Sequence, residues 1–172
     1  MQTYKFFWKT HKWTGIVLSV VLLNVAISGI LLLEKKNFAW IQPPTIAGAE
    51  GSVGDFIGTQ ELFAIVFGQG NADFGDMDDI DRVDFRPGKR VFKVRSKHNY
   101  AEIQVDAVTG KILSVASRPC DLLEALHDGS YYTESVHAIL MPVTGGGLIL
   151  LSVSGLYLWL ATWMRKRRQK RK

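Results

Sequence analysis

Two long apolar stretches dominate the hydropathy pattern of this chain of 172 residues. The first runs from Thr14 to Leu33 and the second from Ala138 to Met164, and neither contains a charged residue. A helix rises about 1.5 Å per residue, so the 20 residues of the first stretch span about 30 Å, the hydrocarbon thickness of a bilayer. The pattern therefore predicts two transmembrane helices, at residues 14–33 and 136–164.

Between these stretches the chain has the pattern of a small domain that folds in water. Apolar positions in Asp55–Phe67 follow a helical period, and from Ile80 to Ser117 the period changes to two, with Pro-Gly and Thr-Gly turns. This predicts a helix on one face of an antiparallel meander of three or four strands, at about residues 53–117. The Pro- and Gly-rich segment 41–54 is typical of a linker.

Charge is divided along the chain in a way that predicts its orientation. All 16 acidic residues lie between Glu34 and Glu134 with 11 basic residues, a net charge of −5, and the two ends carry the other 10 basic residues. Short basic flanks of membrane helices stay in the cytoplasm. We therefore expect a cytoplasmic flank at 1–13, an external region at 34–135 and a basic cytoplasmic tail at 165–172. The fold class is a membrane protein, α+β, with two transmembrane helices bracketing the small external domain.

Composition also argues against two other classes of protein. A net charge of +5 suggests nucleic-acid binding, but the basic excess lies at the membrane flanks and the external domain is acidic, so no nucleic-acid partner is expected. The first apolar stretch exceeds the roughly 7–15 apolar residues of a signal peptide, which favours an uncleaved anchor. Cys120 is the single cysteine, so an intrachain disulfide is excluded.

Three motifs in this order resemble the family of PepSY-associated transmembrane helix proteins. WKTHKWTG at 8–15, followed by the apolar run to SGILL at 28–32, is similar to the family's opening helix. VDAVTGKI at 105–112 resembles the hairpin of PepSY domains. LHDG at 126–129 and SGLYLW at 154–159 are similar to the family's closing helix.

The resemblance implies a bacterial inner-membrane protein, with both termini cytoplasmic and a periplasmic PepSY domain. Larger relatives have four or more helices, and some are thought to reduce ferric siderophores through bound haem. This chain has two spans and no flavin- or nucleotide-binding pattern. The resemblance therefore does not imply a self-contained reductase.

Three histidines near the membrane are candidate ligands of haem b. His11 precedes the first span on a helical face that continues through small residues, and His127 and His137 lie near the outer end of the second span. The alternative is structural, with each ring hydrogen-bonded at the interface. His11 and His137 lie at opposite leaflets, about 30 Å apart, so one chain cannot place both on one haem. A homodimer could pair His11 with His11 and His137 or His127 with its copy.

Two functions remain open from the sequence. In the first, the helices anchor a periplasmic PepSY domain that binds or regulates another protein, as an accessory to a larger system. In the second, a dimer of this chain is a haem-binding electron-transfer subunit linked to ferric-siderophore reduction. No nucleophile–base pattern or metal-ligand spacing appears, and the acidic residues of 73–84 lack the spacing of a calcium loop. The predicted partners are membrane lipid, a second copy and a periplasmic or membrane protein.

Overall fold

A computed structural model describes residues 2–169, which fall into two compact units. One unit joins the two ends of the chain, up to Leu31 and from Glu124 onward, and the other is Leu32–Leu123. The helices are α1 Gln2–Leu33, α2 Thr59–Phe67, α3 Pro119–Asp128 and α4 Glu134–Gln169. The strands are β1 Ile80–Arg86, β2 Val91–Ser96, β3 Ala101–Asp106 and β4 Ile112–Ser117.

The unit formed by the chain ends is built on α1 and α4. Both helices are long and apolar enough to cross a membrane, which confirms the two predicted apolar helices. Much of their apolar surface is exposed, including Val17, Val20 and Val153. Exposed apolar helix surface of this extent is costly in water and is the surface that a bilayer covers. Aromatic residues such as Trp13 and Trp159 lie towards the cytoplasmic ends predicted for these helices.

The unit Leu32–Leu123 contains an antiparallel sheet of order β1-β2-β3-β4, which confirms the predicted meander. β2 and β3 pair residue by residue, and alternate pairs, such as Val94 with Ile103, share one face of the sheet. This face packs against α2, whose Leu62 and Val66 are fully buried. The apolar core of the unit is therefore a single layer between one helix and one sheet face.

The opposite face of the sheet is polar but also buried. Its buried side chains include Lys93, Arg95, Glu102, Gln104 and Asp106. Residues 41–49, which the sequence indicated as a linker, cover part of this face through main-chain hydrogen bonds. The Gln104 side chain accepts from the Ile46 amide at 2.9 Å and donates to the Pro44 carbonyl at 3.0 Å, and Asp106 accepts from the Ala49 amide at 2.9 Å.

Glu102 lies at the centre of the buried charges on this polar face. Its carboxylate accepts from Lys93 at 3.1 Å and from Arg118 at 2.6 Å, while Arg95 pairs with Asp84 at 2.8 Å. Buried charges are tolerated when they are paired and hydrogen-bonded in this way. Desolvation lowers the pKa of Arg118, but hydrogen bonding to Asp121 and the charge of Glu102 outweigh it and raise the pKa overall. The guanidinium of Arg118 is therefore charged at any physiological pH.

Candidate functional site

His11 on α1 forms a hydrogen bond with a serine of α4. Its Nδ1 atom lies 2.9 Å from Oγ of Ser154, a residue that is fully buried between the helices. The ring packs on the next residue, Gly155, where an added Cβ would lie 3.1 Å from Cε1 of His11. Serine supplies the polar contact and glycine leaves space for the flat ring.

His127 makes the same pair of contacts at the other end of the two helices. It belongs to α3, and its Nδ1 atom lies 2.9 Å from Oγ of Ser28 on α1, another buried serine. An added Cβ on the following Gly29 would lie 3.3 Å from Cε1 of His127. The Asn24 side chain donates to the Leu126 carbonyl at 2.9 Å and holds α3 against α1. Each histidine therefore rests on a Ser-Gly pair of a long helix.

The serine hydroxyls decide which ring nitrogen carries the proton. Ser154 Oγ lies 2.6 Å from the Leu150 carbonyl and Ser28 Oγ lies 2.6 Å from the Asn24 carbonyl. A carbonyl oxygen can only accept, so each hydroxyl donates its one hydrogen to the helix backbone and must accept from the histidine. Nδ1 of each ring therefore carries a proton, and in the neutral form of the ring Nε2 keeps its lone pair.

The Nε2 atoms of both rings are free to bind a ligand. Neither atom has a hydrogen-bond partner within residues 2–169, and neither is among the completely buried polar atoms that lack one. His11 lies 17 residues before Ser28 on α1. At a rise of about 1.5 Å per residue, the two histidine sites are roughly 25 Å apart along the helix, near opposite ends of a bilayer core.

A seam of small and large residues holds α1 against α4 between the two histidines. Leu18 lies against Gly147, where no space remains for a Cβ atom. A Cβ atom added to Gly15 would lie 3.7 Å from Cδ2 of Leu151. Gly147 thus packs against α1 of the same chain, whereas a Cβ on Gly145 or Gly146 would meet open space. Close approach at small residues is the usual way in which membrane helices pack.

The sequence predicts a face of α1 that runs from His11 through Gly15, Ser19, Leu22, Ala26 and Gly29. Gly15, Leu22 and Gly29 are half-buried, whereas Ser19 and Ala26 are exposed and Leu18 and Ser28 are buried. The buried and half-buried positions recur at alternating steps of three and four. They include Tyr4, Phe7, His11, Thr14, Leu18, Val21, Val25 and Ser28. A repeat of about 3.5 residues is typical of a helix that packs along the length of another helix.

His137, the third candidate, lies outside this pattern. Its side chain is 46% exposed, and Nδ1 lies 3.2 Å from the Asp128 carbonyl and 3.6 Å from the Asp128 carboxylate. Burial raises the pKa of Asp128, but hydrogen bonds from Ser130 and the nearby charges of His137 and His127 outweigh it and lower the pKa overall. His98 is exposed in the other unit and bonds Asp79 at 3.0 Å.

Sequence reasoning selected the histidines but missed the serines that hold them. Ser28-Gly29 and Ser154-Gly155 were visible as repeated Ser-Gly pairs inside apolar runs, each followed by an aliphatic residue. That repetition was the available signal. The pairing of Ser28 with a histidine 99 residues away depends on tertiary structure, which no local pattern contains.

The fold and the histidine sites define a class, in which two apolar helices flank one small α+β unit and hold buried serine–histidine pairs. The chain belongs to the family described as PepSY-associated TM region, whose family model matches residues 8–172. This membership and the two apolar helices support a membrane protein of the PepSY-associated type. No curated protein and no solved structure matches the chain.

Proposed function

We propose that this protein binds haem b in the membrane and passes electrons across it as a homodimer. His11 would hold a haem near the cytoplasmic side and His127 a second haem near the external side. In each case the copy of the same histidine in the other chain would supply the second iron ligand. The function is that of an electron-transfer subunit of a ferric-reducing system, with other proteins supplying and consuming the electrons.

One observation carries this proposal, namely the two serine–histidine pairs with their free Nε2 atoms. Histidines that bind a metal through Nε2 almost always donate Nδ1–H to an acceptor that orients the ring. Ser154 and Ser28 provide that acceptor for His11 and His127. A buried serine below each ring is more than an interfacial histidine needs, because lipid headgroups or water could satisfy such a ring.

The residues present fit a haem in their chemistry. Neutral imidazoles are the usual axial ligands of b-type haem, which would supply a one-electron iron couple when bound. Within residues 2–169 no group of three or more His, Cys, Asp or Glu residues could hold a metal ion by itself. A haem needs one or two imidazoles per iron, and a second copy of the chain would provide the second.

The charge distribution supports the membrane orientation that we propose. The basic residues at both ends favour cytoplasmic termini, and the acidic unit Leu32–Leu123 would then lie in the periplasm of a bacterial inner membrane. Electrons would enter near His11 and leave near His127. The other function predicted from the sequence, an anchored PepSY domain that regulates a partner protein, stays a prediction.

A spectrum of the purified protein tests the proposal. The full chain is expressed with haem supplied, purified in mild detergent and measured as a reduced-minus-oxidised difference spectrum. We expect a low-spin b-type spectrum. His11→Ala and His127→Ala should each remove about half of the bound haem, because each would disable one of the two sites.

Two control variants make the result specific. His98→Ala changes an exposed histidine of the other unit, and His137→Ala changes the exposed candidate bonded to Asp128. Both should keep the haem content of the unmodified chain. A colourless preparation would refute haem binding, and equal losses in all four variants would refute the assignment to His11 and His127.

A further inference from the structure

A cavity of about 610 Å³ opens on the polar face of the sheet, within the unit Leu32–Leu123. Its lining includes six basic side chains and, within the described residues, no acidic one. The basic residues are Lys36, Arg86, Lys89, Lys93, Arg95 and Arg118. The volume is in the range of small-molecule sites in proteins, about 300–1,000 Å³.

The buried carboxylates neutralise part of this positive charge. Glu102 pairs with Lys93 and Arg118, Asp84 pairs with Arg95, and Asp121 pairs with Arg118. Three carboxylates therefore pair with three of the six cations, which leaves a formal charge of +3 around the cavity. A concentration of one sign of charge in a concave, partly buried space attracts ions of the opposite sign.

The rim and the floor of the cavity differ in how their cations are used. On the exposed rim, Lys36 and Arg86 make no ion pair with any described residue, and Lys89 donates to the Thr45 carbonyl at 3.0 Å. On the floor, Lys93 and Arg95 are almost completely buried. Lys36 and Arg86 are therefore free to meet a ligand, whereas the floor cations are held in place by the sheet.

Two buried polar atoms of lining residues lack a hydrogen-bond partner. Nε of Arg95 is buried without an acceptor and lies 3.9 Å from a carboxylate oxygen of Glu102. Oε1 of Gln42 is buried without a donor. Leaving buried polar groups unsatisfied is costly, so such groups are usually bonded to water or to a ligand.

We propose that this cavity is a binding site for a small, dissolved oxyanion with two or three negative charges, carried on carboxylate or phosphate groups. Arginine side chains bind both groups through paired N–H donors, as Arg86 on the rim would, and a shift of the Arg95 side chain would bring its unpaired Nε–H to one of the oxygens. The proposal is independent of haem binding. It gives the external unit a soluble ligand of its own.

Calorimetric titration of the full chain in a zwitterionic detergent tests this site. The probes are citrate and inorganic phosphate, with chloride at the same ionic strength as the reference. At least one probe should bind saturably, and it should also raise the melting temperature progressively as its concentration exceeds Kd. The double variant Lys36→Gln/Arg86→Gln should raise Kd about tenfold or more while its melting temperature without ligand stays unchanged.

Lys111→Gln is the matched control, because it removes an exposed positive charge of the same unit that does not line the cavity. Its Kd should equal that of the unmodified chain. Equal weakening by the control and by a rim variant would refute the site, as would the absence of heat with both probes. Binding that appears only in nanodiscs containing phosphatidylglycerol would also overturn the proposal, since the oxyanion would then be a lipid headgroup.

Discussion

Two serine hydroxyls control the chemistry of the membrane histidines at the scale of single residues. Each donates to its own helix backbone and so forces the histidine to donate through Nδ1. Replacing Ser28 or Ser154 by alanine would release the ring and leave its tautomer unspecified. The serines would thus act on a bound haem iron only through the histidine they orient.

We expect Ser154→Ala and Ser28→Ala to weaken haem binding about 10-fold or more, the usual effect of removing such a partner. The measurements are the haem affinity of the apoprotein and the midpoint potential of each haem. Ser154→Ala should affect the potential of the haem lost in His11→Ala, and Ser28→Ala that of the other haem.

Matched controls lie on the same two helices. Ser152 and Ser19 are exposed and bond only their own helix, through the Leu148 and Ile16 carbonyls at 2.8 Å. Ser152→Ala and Ser19→Ala should leave affinity and potential unchanged. An equal effect of all four substitutions would mean that the serines act on the helices and not on the histidines.

Asp106 provides a second prediction at the residue scale, in the unit Leu32–Leu123. It is buried, and burial raises its pKa, but hydrogen bonds from the amides of Ala49, Val108 and Thr109 outweigh burial and lower the pKa overall. A carboxylate whose pKa is lower in the folded state stabilises that state above its unfolded pKa of about 3.9, and this contribution is lost as pH falls through the folded pKa.

We therefore expect Asp106→Asn to lower the free energy of unfolding at pH 7 by about 1–3 kcal/mol. The difference from the unmodified chain should shrink below about pH 4, as the native carboxylate becomes protonated. Urea unfolding of the full chain in detergent, followed by circular dichroism, measures both. Asp81→Asn, at a 51% exposed side chain, is the control. A pH-independent difference would contradict this explanation.

At the scale of elements, the contact between α1 and α4 depends on one glycine of three. Gly147 has no room for a side chain against Leu18, whereas Gly145 faces open space. Gly147→Leu should lower the stability of the helix pair by about 1–3 kcal/mol through overpacking. Thermal melting of the full chain in detergent measures the loss.

The same glycine run supplies the control for this substitution. Gly145→Leu adds the same side chain two residues earlier in the helix. It should leave the melting temperature close to that of the unmodified chain. Adding Leu18→Ala to Gly147→Leu should restore part of the lost stability, because it returns space to the contact. Equal melting temperatures of Gly145→Leu and Gly147→Leu would contradict the contact between Gly147 and Leu18.

The elements that the sequence predicted well are those with a strong local signal. The apolar runs of α1 and α4 and the period-two alternation of Ile80–Ser117 depend on nothing outside their own residues. Residues 41–49 were interpreted as a linker because prolines and glycines oppose regular structure. In the structure their amides and carbonyls bond Gln104 and Asp106, so this segment is ordered by partners about 57–60 residues away.

The polar face of the sheet shows the same limit of local patterns. Alternation placed Lys93 and Arg95 opposite Phe92 and Val94, as found, but alternation alone indicates a solvated polar face. Burial of these cations depends on residues 41–49, Glu102 and Arg118. The cavity that they line could not be inferred before those long-range contacts were known.

At the scale of the whole molecule, the charge distribution predicts a topology that labelling can test. Gln2 and Lys111 are both exposed, and Cys120 is buried. In intact spheroplasts, a membrane-impermeant maleimide should label Lys111→Cys and should label Gln2→Cys only after lysis. The unmodified chain is the control for reaction at Cys120. The opposite labelling pattern would reverse the proposed direction of electron transfer.

The last prediction separates a shared haem from one bound by each chain alone. Unmodified chains and His11→Ala chains are co-expressed with different tags, and the mixed dimer is purified through both tags. If two copies of His11 share one inner haem, the mixed dimer should hold about half the low-spin haem of the unmodified dimer, because one ligand of the inner site is gone. If each chain binds its own haem, about three quarters of the total bound haem should remain, since only one of four sites is lost. The half-content result requires the second copy to contribute a ligand, and it would make dimerisation part of the electron path.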